Sequence, residues 1–115
     1  MPFRPLRQDE RDLVSRLLAI EFLGRQQLLA QLTSATVEPI DLNGSLRFEV
    51  HEDTHADVSK RIPVEAHCLD SDDVCIHALL HVLNGRLSEL EIYKDDSTPV
   101  VRAIDAEEWE IVVPY

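Results

Sequence analysis

Hydrophobic positions change their period near residue 35 of this 115-residue chain, and the change divides it in two. Before it, Leu13, Val14, Leu17, Leu18 and Ile20 recur at spacings of three, four and seven, the stripe of an amphipathic helix. Asp9, Glu10 and Asp12 fall in the predicted first turn, where carboxylates oppose the positive helix end. Gly24 interrupts the stripe, and a shorter helix carrying Leu28, Leu29 and Leu32 runs out near Thr33-Ser34. Their short connection predicts an αα-hairpin over residues 1–35.

After Ala35 the period falls to two, the mark of strands. Ile40 and Leu42 alternate before Asn43-Gly44, and Leu46, Phe48 and Val50 after it. Ile62, Val64, Ala66 and Cys68 precede a turn at Asp70-Ser71-Asp72-Asp73, and Ile76, Ala78, Leu80 and Val82 follow it. Leu87, Leu90 and Ile92 come after Asn84-Gly85, then a short Val100-Val101 segment, and finally Trp109, Ile111 and Val113. The polar stretch His51–Lys60 reads as the longest connection and a mobile loop. The expected fold is α+β, one domain over 1–115: an N-terminal helical hairpin packed on a curved antiparallel β-meander of five to seven strands over 36–115.

Register follows from burial. A two-residue type I′ turn at Asn84-Gly85 would pair Leu83 with Arg86 and set Leu80 opposite Glu89. A slip of one residue instead puts Leu90 and Ile92 on the face of Ala78 and Leu80. The sequence therefore favours a type I turn with Gly85 as a left-handed bulge. The same reasoning at Gly44 places Ile40 and Leu42 on the face of Leu46 and Phe48.

Composition is ordinary for a globular domain, with 44% hydrophobic and 29% charged residues. No stretch approaches the ~20 apolar residues of a membrane span. The basic N-terminus leads into Gln8–Asp12 and not into an apolar run, so a cytoplasmic location is expected. Cys68 and Cys75 form no C-x-x-C pair and fit free thiols in a reducing compartment.

Charge changes the picture most. Residues 1–35 hold five basic and four acidic side chains, and residues 36–115 hold six and eighteen, so +1 stands against −12. Such a surface repels phosphate backbones and anionic membranes, which excludes nucleic acid and membrane as partners. It attracts a basic protein. Asp70, Asp72, Asp73, Glu89, Glu91, Asp95 and Asp96 are the expected contact residues for such a partner. The leading expectation is an interaction module with no cofactor, acting as small acidic immunity or antitoxin proteins do. Self-association through a sheet edge is the other partner expected.

The chemistry-bearing clusters are few. Aligning Val64, Ala66 and Cys68 with Ile76, Ala78 and Leu80 sets His67 opposite His77 on the other face, with Cys75 and His81 beside it. Imidazole and thiolate suit zinc-class metals, yet this spacing matches no ligand motif. A small metal-dependent or hydrolytic enzyme using His67, His77 and His81 is the alternative function. Asp70-Ser71-Asp72-Asp73-Val74 matches the D-x-D-x-T/V signature of haloacid-dehalogenase-like phosphatases, but its flanks predict a hairpin and not a parallel strand. An EF-hand fails because Cys75 occupies the sixth position, where glycine is required. The segment is expected to be a solvated turn. Glu89 and Glu91 project from one face about 7 Å apart, a spacing open to acid–base work and equally to a half-buried strand. Ser45 lacks the second glycine of a nucleophile elbow.

Several segments together resemble a functionally uncharacterised bacterial family of small proteins. They are Arg4-Pro5-Leu6 with Glu10-Arg11, Gly24-Arg25 with Leu28-Leu29 and Gln31-Leu32, and Gly44-Ser45-Leu46. Ile62–Ala66, Leu80-His81-Val82 and Gly85–Lys94 complete the set, the last being the most specific. Arg7 stands where a Thr helix cap is usual, and Asp73 where a turn glycine is usual. The resemblance covers about residues 4–102 and implies bacterial origin and a shared fold, with no activity attached.

Overall fold

The computed structural model describes residues 3–112. Two helices, α1 (Gln8–Leu17) and α2 (Arg25–Leu32), accompany seven strands: β1 (Arg4–Pro5), β2 (Thr36–Pro39), β3 (Leu46–Glu49), β4 (Val64–Leu69), β5 (Cys75–Leu83), β6 (Arg86–Lys94) and β7 (Glu110–Val112). A 3-10 turn at Ala106–Glu108 precedes β7. The α+β class is as expected. Val113 lies outside the described residues.

All strand pairs are antiparallel, in the order β1-β2-β3-β6-β5-β4-β7. This is not one meander. The β4–β5–β6 meander is laid in reverse, so β6 joins β3 and the 50–63 connection crosses to the far side. The reason is area: the two longest strands, β5 and β6, take the centre, where both edges are paired and their apolar residues are best covered. Residues 1–35 are not helical throughout, because β1 pairs with β2 at the sheet edge.

One face of the sheet carries Val37, Leu46, Phe48, Val64, Ala66, Ile76, Ala78, Leu80, Leu90 and Ile92 into the core. Leu13, Val14, Leu17 and Leu18 of α1 and Leu28 and Leu32 of α2 close over it, joined by Trp109. Polar side chains fix the helix ends. Arg4 makes a two-pronged salt bridge to Glu10 at 2.8 Å, and Glu10 also accepts from the Arg7 N–H at 2.8 Å. That bond caps α1 without a cap side chain, which explains how Arg7 serves in place of a Thr. Arg25 donates to the Leu18 carbonyl ending α1, and Arg11 to the Leu32 carbonyl ending α2.

The core-facing sets of β5 and β6 agree with the sequence reading: Ala78 opposes Ile92 and Leu80 opposes Leu90. The turn does not. Asn84 (φ 53°) and Gly85 (φ 74°) form the two-residue type I′ turn, pairing Leu83 with Arg86. The one-residue slip lies further along, where Ser88 is extra between the Val82–Leu87 and His81–Glu89 pairs. Gly85 is held in the turn because its carbonyl accepts from Ala56 N–H at 2.8 Å, and a Cβ there would meet the Ala56 oxygen at 2.8 Å. Gly85→Ala is expected to cost about 2 kcal/mol, from the left-handed φ and that clash. Urea unfolding checks it, and Gly85→Asn, which tolerates the φ but not the contact, should recover only part.

Three further expectations change. Ile40 and Leu42 lie in the β2–β3 turn and are exposed, while Val37 pairs with Phe48 on the core face. Val100-Val101 is not a strand. The His51–Lys60 segment is a loop, but it is tied down: Ala56 is buried, and Gln31 donates to the Thr54 carbonyl.

Candidate functional site

The opposite face of the sheet is covered by neither helix, and the strand register arranges its side chains in rows. The first row runs Glu110, His67, His77, Tyr93 across β7, β4, β5 and β6. The second is Val112, Glu65, Leu79, Glu91, and the third His81, Glu89, Arg47, Glu38 across β5, β6, β3 and β2. Alternation puts these residues here because their neighbours in sequence are the apolar residues of the core.

Each of the three histidines on this face has its own carboxylate. His67 Nε2 lies 3.4 Å from Glu110, His77 Nε2 2.6 Å from Asp95, and His81 Nε2 2.8 Å from Glu91. His77 opposes His67 as predicted, and it stacks on Tyr93 with centroids 4.8 Å apart and planes at 17°. The three imidazoles do not converge: His77 and His81 sit four residues apart on one strand, about 13 Å. Arg61 Nε donates to His81 Nδ1 at 3.1 Å, which places the ring proton on Nε2, facing Glu91. Nothing in the periodicity singled out Arg61, since it comes from the loop before β4.

Two groups gather metal-capable atoms within 4.8 Å of one another: Cys75, His77 and Asp95, and His81, Glu89 and Glu91. Asp95 reaches the first because its N–H bonds the Cys75 carbonyl at 3.0 Å, continuing the β5–β6 pairing by one residue. The sequence reading had Cys75 with His77 but assigned Asp95 to an acidic patch. Neither thiol is an activated nucleophile. Burial pushes Cys68 up to about 11, and burial followed by the nearby Asp95 charge raises Cys75. Cys68, Cys75, His67, Arg102, Glu108 and Glu110 line an open cleft of about 520 Å³ at the end of β4.

The remaining predicted contact residues separate. Asp73 (φ 64°) and Asp96 are exposed in the two turns beside the Cys75 end of the sheet. The left-handed φ at Asp73 is one that glycine adopts without strain, in keeping with the turn glycine expected there. Asp70 corrects the expectation of a solvated turn and a partner contact. Its side chain is buried against Lys94 Nζ at 3.0 Å, with Asp72 2.6 Å from the same ammonium. The Val101 and Ser71 N–H groups donate to Asp70 at 2.9 and 2.8 Å. Burial works to raise the Asp70 carboxyl, but those donors and the Lys94 charge outweigh it and hold the carboxyl below its ordinary range. Lys94 is raised, first by its bond to Asp72, against the opposing effect of burial. Lys94 was not singled out in the sequence, although it continues the Leu90, Ile92 alternation into the core.

The segments that carry the family resemblance sort accordingly. Arg4, Glu10, Arg11, Arg25 and Gln31 brace the helices, and Lys94 the turns. Ser45 Oγ both accepts from the Ile92 N–H and donates to its carbonyl, so this serine completes the sheet and is no nucleophile. Glu65, His81, Glu89, Glu91 and Tyr93 share the open face.

The chain belongs to a family of unknown function: the model for the domain of unknown function DUF6984 matches residues 3–104. No curated protein and no solved structure matches the chain. Among the described residues no helix is long and apolar enough to cross a membrane.

Proposed function

We propose that this chain is an interaction module that docks a basic protein on the open face of its sheet. The observation that carries the reading is the composition of that face. Glu65, Glu89, Glu91 and Glu110 stand around Leu79 and Tyr93, with Arg47 bound to Glu38 and Arg61 to His81. An apolar centre within an acidic surround is the arrangement that gives both burial and steering toward a basic partner. Asp72, Asp73, Asp95 and Asp96 extend the acidic field at one end, and the free thiols Cys68 and Cys75 support a reducing, cytoplasmic setting. An immunity- or antitoxin-like task fits this chemistry. The hydrolytic alternative has less support, because the histidines are separately paired and both thiols are raised.

Glu89→Lys with Glu91→Lys, which reverses the centre of the field, should weaken partner binding at least tenfold and flatten its salt dependence. A basic protein recovered by low-salt pull-down supplies the ligand for titration calorimetry. Recovery of no basic protein, or equal affinity of the double variant, would sink the reading. Sedimentation of the chain alone tests the competing self-association.

A further inference from the structure

At one end of the same open face, sharing Asp95 and Tyr93 with the docking field, one cluster combines three different donor types. Cys75 Sγ, a His77 ring nitrogen and an Asp95 carboxylate oxygen lie within 4.8 Å of one another on the open face. We propose that these three side chains bind one divalent cation of the zinc class, leaving a fourth position open to water or an outside ligand.

The donor set is the first argument. Sulfur, imidazole nitrogen and carboxylate oxygen together suit zinc and cobalt, and they disfavour magnesium and calcium, which want oxygen alone. Geometry is the second. Metal–donor lengths of about 2.0–2.3 Å in a tetrahedron place donors about 3.3–3.6 Å apart. The His77–Asp95 contact of 2.6 Å has to open by under ~1 Å, and the sulfur, within 4.8 Å of both, has to close by at most about 1.2 Å. Side-chain rotation supplies both, since Asp95 is 60% exposed.

The backbone is already placed. Cys75 and His77 are alternate residues of β5 and so point the same way, and the Asp95 N–H is bonded to the Cys75 carbonyl at 3.0 Å. Tyr93 stacks on His77 and fixes the plane of the ring, the part that outer residues play around metal ligands. On binding, the proton that His77 Nε2 shares with Asp95 moves by way of solvent to Nδ1 and frees the Nε2 lone pair for the cation. The carboxylate turns its own lone pair to the metal, and the thiol proton leaves to solvent as the metal–sulfur bond forms.

The second cluster lacks this fitness. At His81 the guanidinium of Arg61 donates to Nδ1, so the ring proton cannot move there to free Nε2 for a metal unless Arg61 is first displaced.

The test is titration of reduced, chelator-treated full-length protein with cobalt(II) alone, followed by competition with zinc(II). Expected are one cobalt per chain, visible bands of tetrahedral intensity, and a near-ultraviolet thiolate-to-cobalt band that zinc abolishes. Cys75→Ser should remove the charge-transfer band. His77→Gln and Asp95→Asn should each weaken binding at least ~10-fold, the loss that even outer-sphere partners give. His81→Gln should change nothing. All four replacements are conservative and lie outside the core, and circular dichroism of each confirms its fold. Absence of the thiolate band in folded wild type overturns the proposal. So does a band that survives Cys75→Ser, or unchanged affinity in His77→Gln and Asp95→Asn.

Discussion

Lys94→Met unfolds the protein at a temperature lower by more than about 10 °C, although it swaps one buried side chain for another of similar length. The ammonium is fully enclosed and meets Asp70, Asp72 and the Pro99 carbonyl. Removing it leaves Asp70 ionised and buried with only the Val101 and Ser71 N–H groups to hold it. An unpaired buried charge is the costly case, whereas a buried pair replaced as a whole is often neutral. Lys94→Met with Asp70→Asn should therefore recover much of the loss, and thermal melts of the single and double variants check this. A double variant as unstable as the single one would mean that the loss came from packing.

The same pair sets a pH dependence. Asp70 is depressed in the folded state, so its stabilisation is complete above about pH 4 and disappears as pH falls through its lowered folded value. Lys94 is raised, so its contribution is complete below about pH 10 and disappears as pH rises through its raised value. Between those limits the pair's contribution is flat. In the Asp70→Asn and Lys94→Met double variant, the acid arm of the stability curve should lose this part of its slope.

Gln31→Ala is expected to cost on the order of 3 kcal/mol, because three backbone groups, two of them in buried bonds, lose a partner at once. The side chain of Gln31 donates to the carbonyls of Gly85 and Thr54 and accepts from the Leu87 N–H at 3.0 Å. That N–H points away from β5 at a level β3 does not reach, so an amide from α2 stands in for a neighbouring strand. Urea unfolding should show a lower midpoint with unchanged slope. Hydrogen exchange at Leu87 and Ala56 should rise beyond the global change, since the 51–60 loop is anchored at the same point. Uniform exchange across the sheet would contradict that anchoring.

The candidate site was legible where it depended on alternation. His67 opposite His77, with Cys75 and His81 alongside, followed from matching the apolar faces of β4 and β5, and the structure has that register. Glu89 and Glu91 were placed on an open face for the same reason. Asp70 was misread because an Asp-rich turn normally faces water; here a lysine distant in sequence follows it inside. Asp95 was separated from Cys75 because nineteen residues and a hairpin lie between them in the chain.

By itself the sequence determined the two helices, the strands of the β4–β5–β6 hairpins and the faces they bury, because the periods of 3.6 and 2 are properties of local backbone geometry. It determined the charge imbalance as well. The tertiary structure alone decided that β6 joins β3, that Ser88 and not Gly85 takes up the register slip, and that Lys94 and Asp70 meet in the core. Those outcomes turn on which distant edges and charges find one another. That choice is settled by total burial and hydrogen bonding over the whole chain, and no local window of sequence contains it.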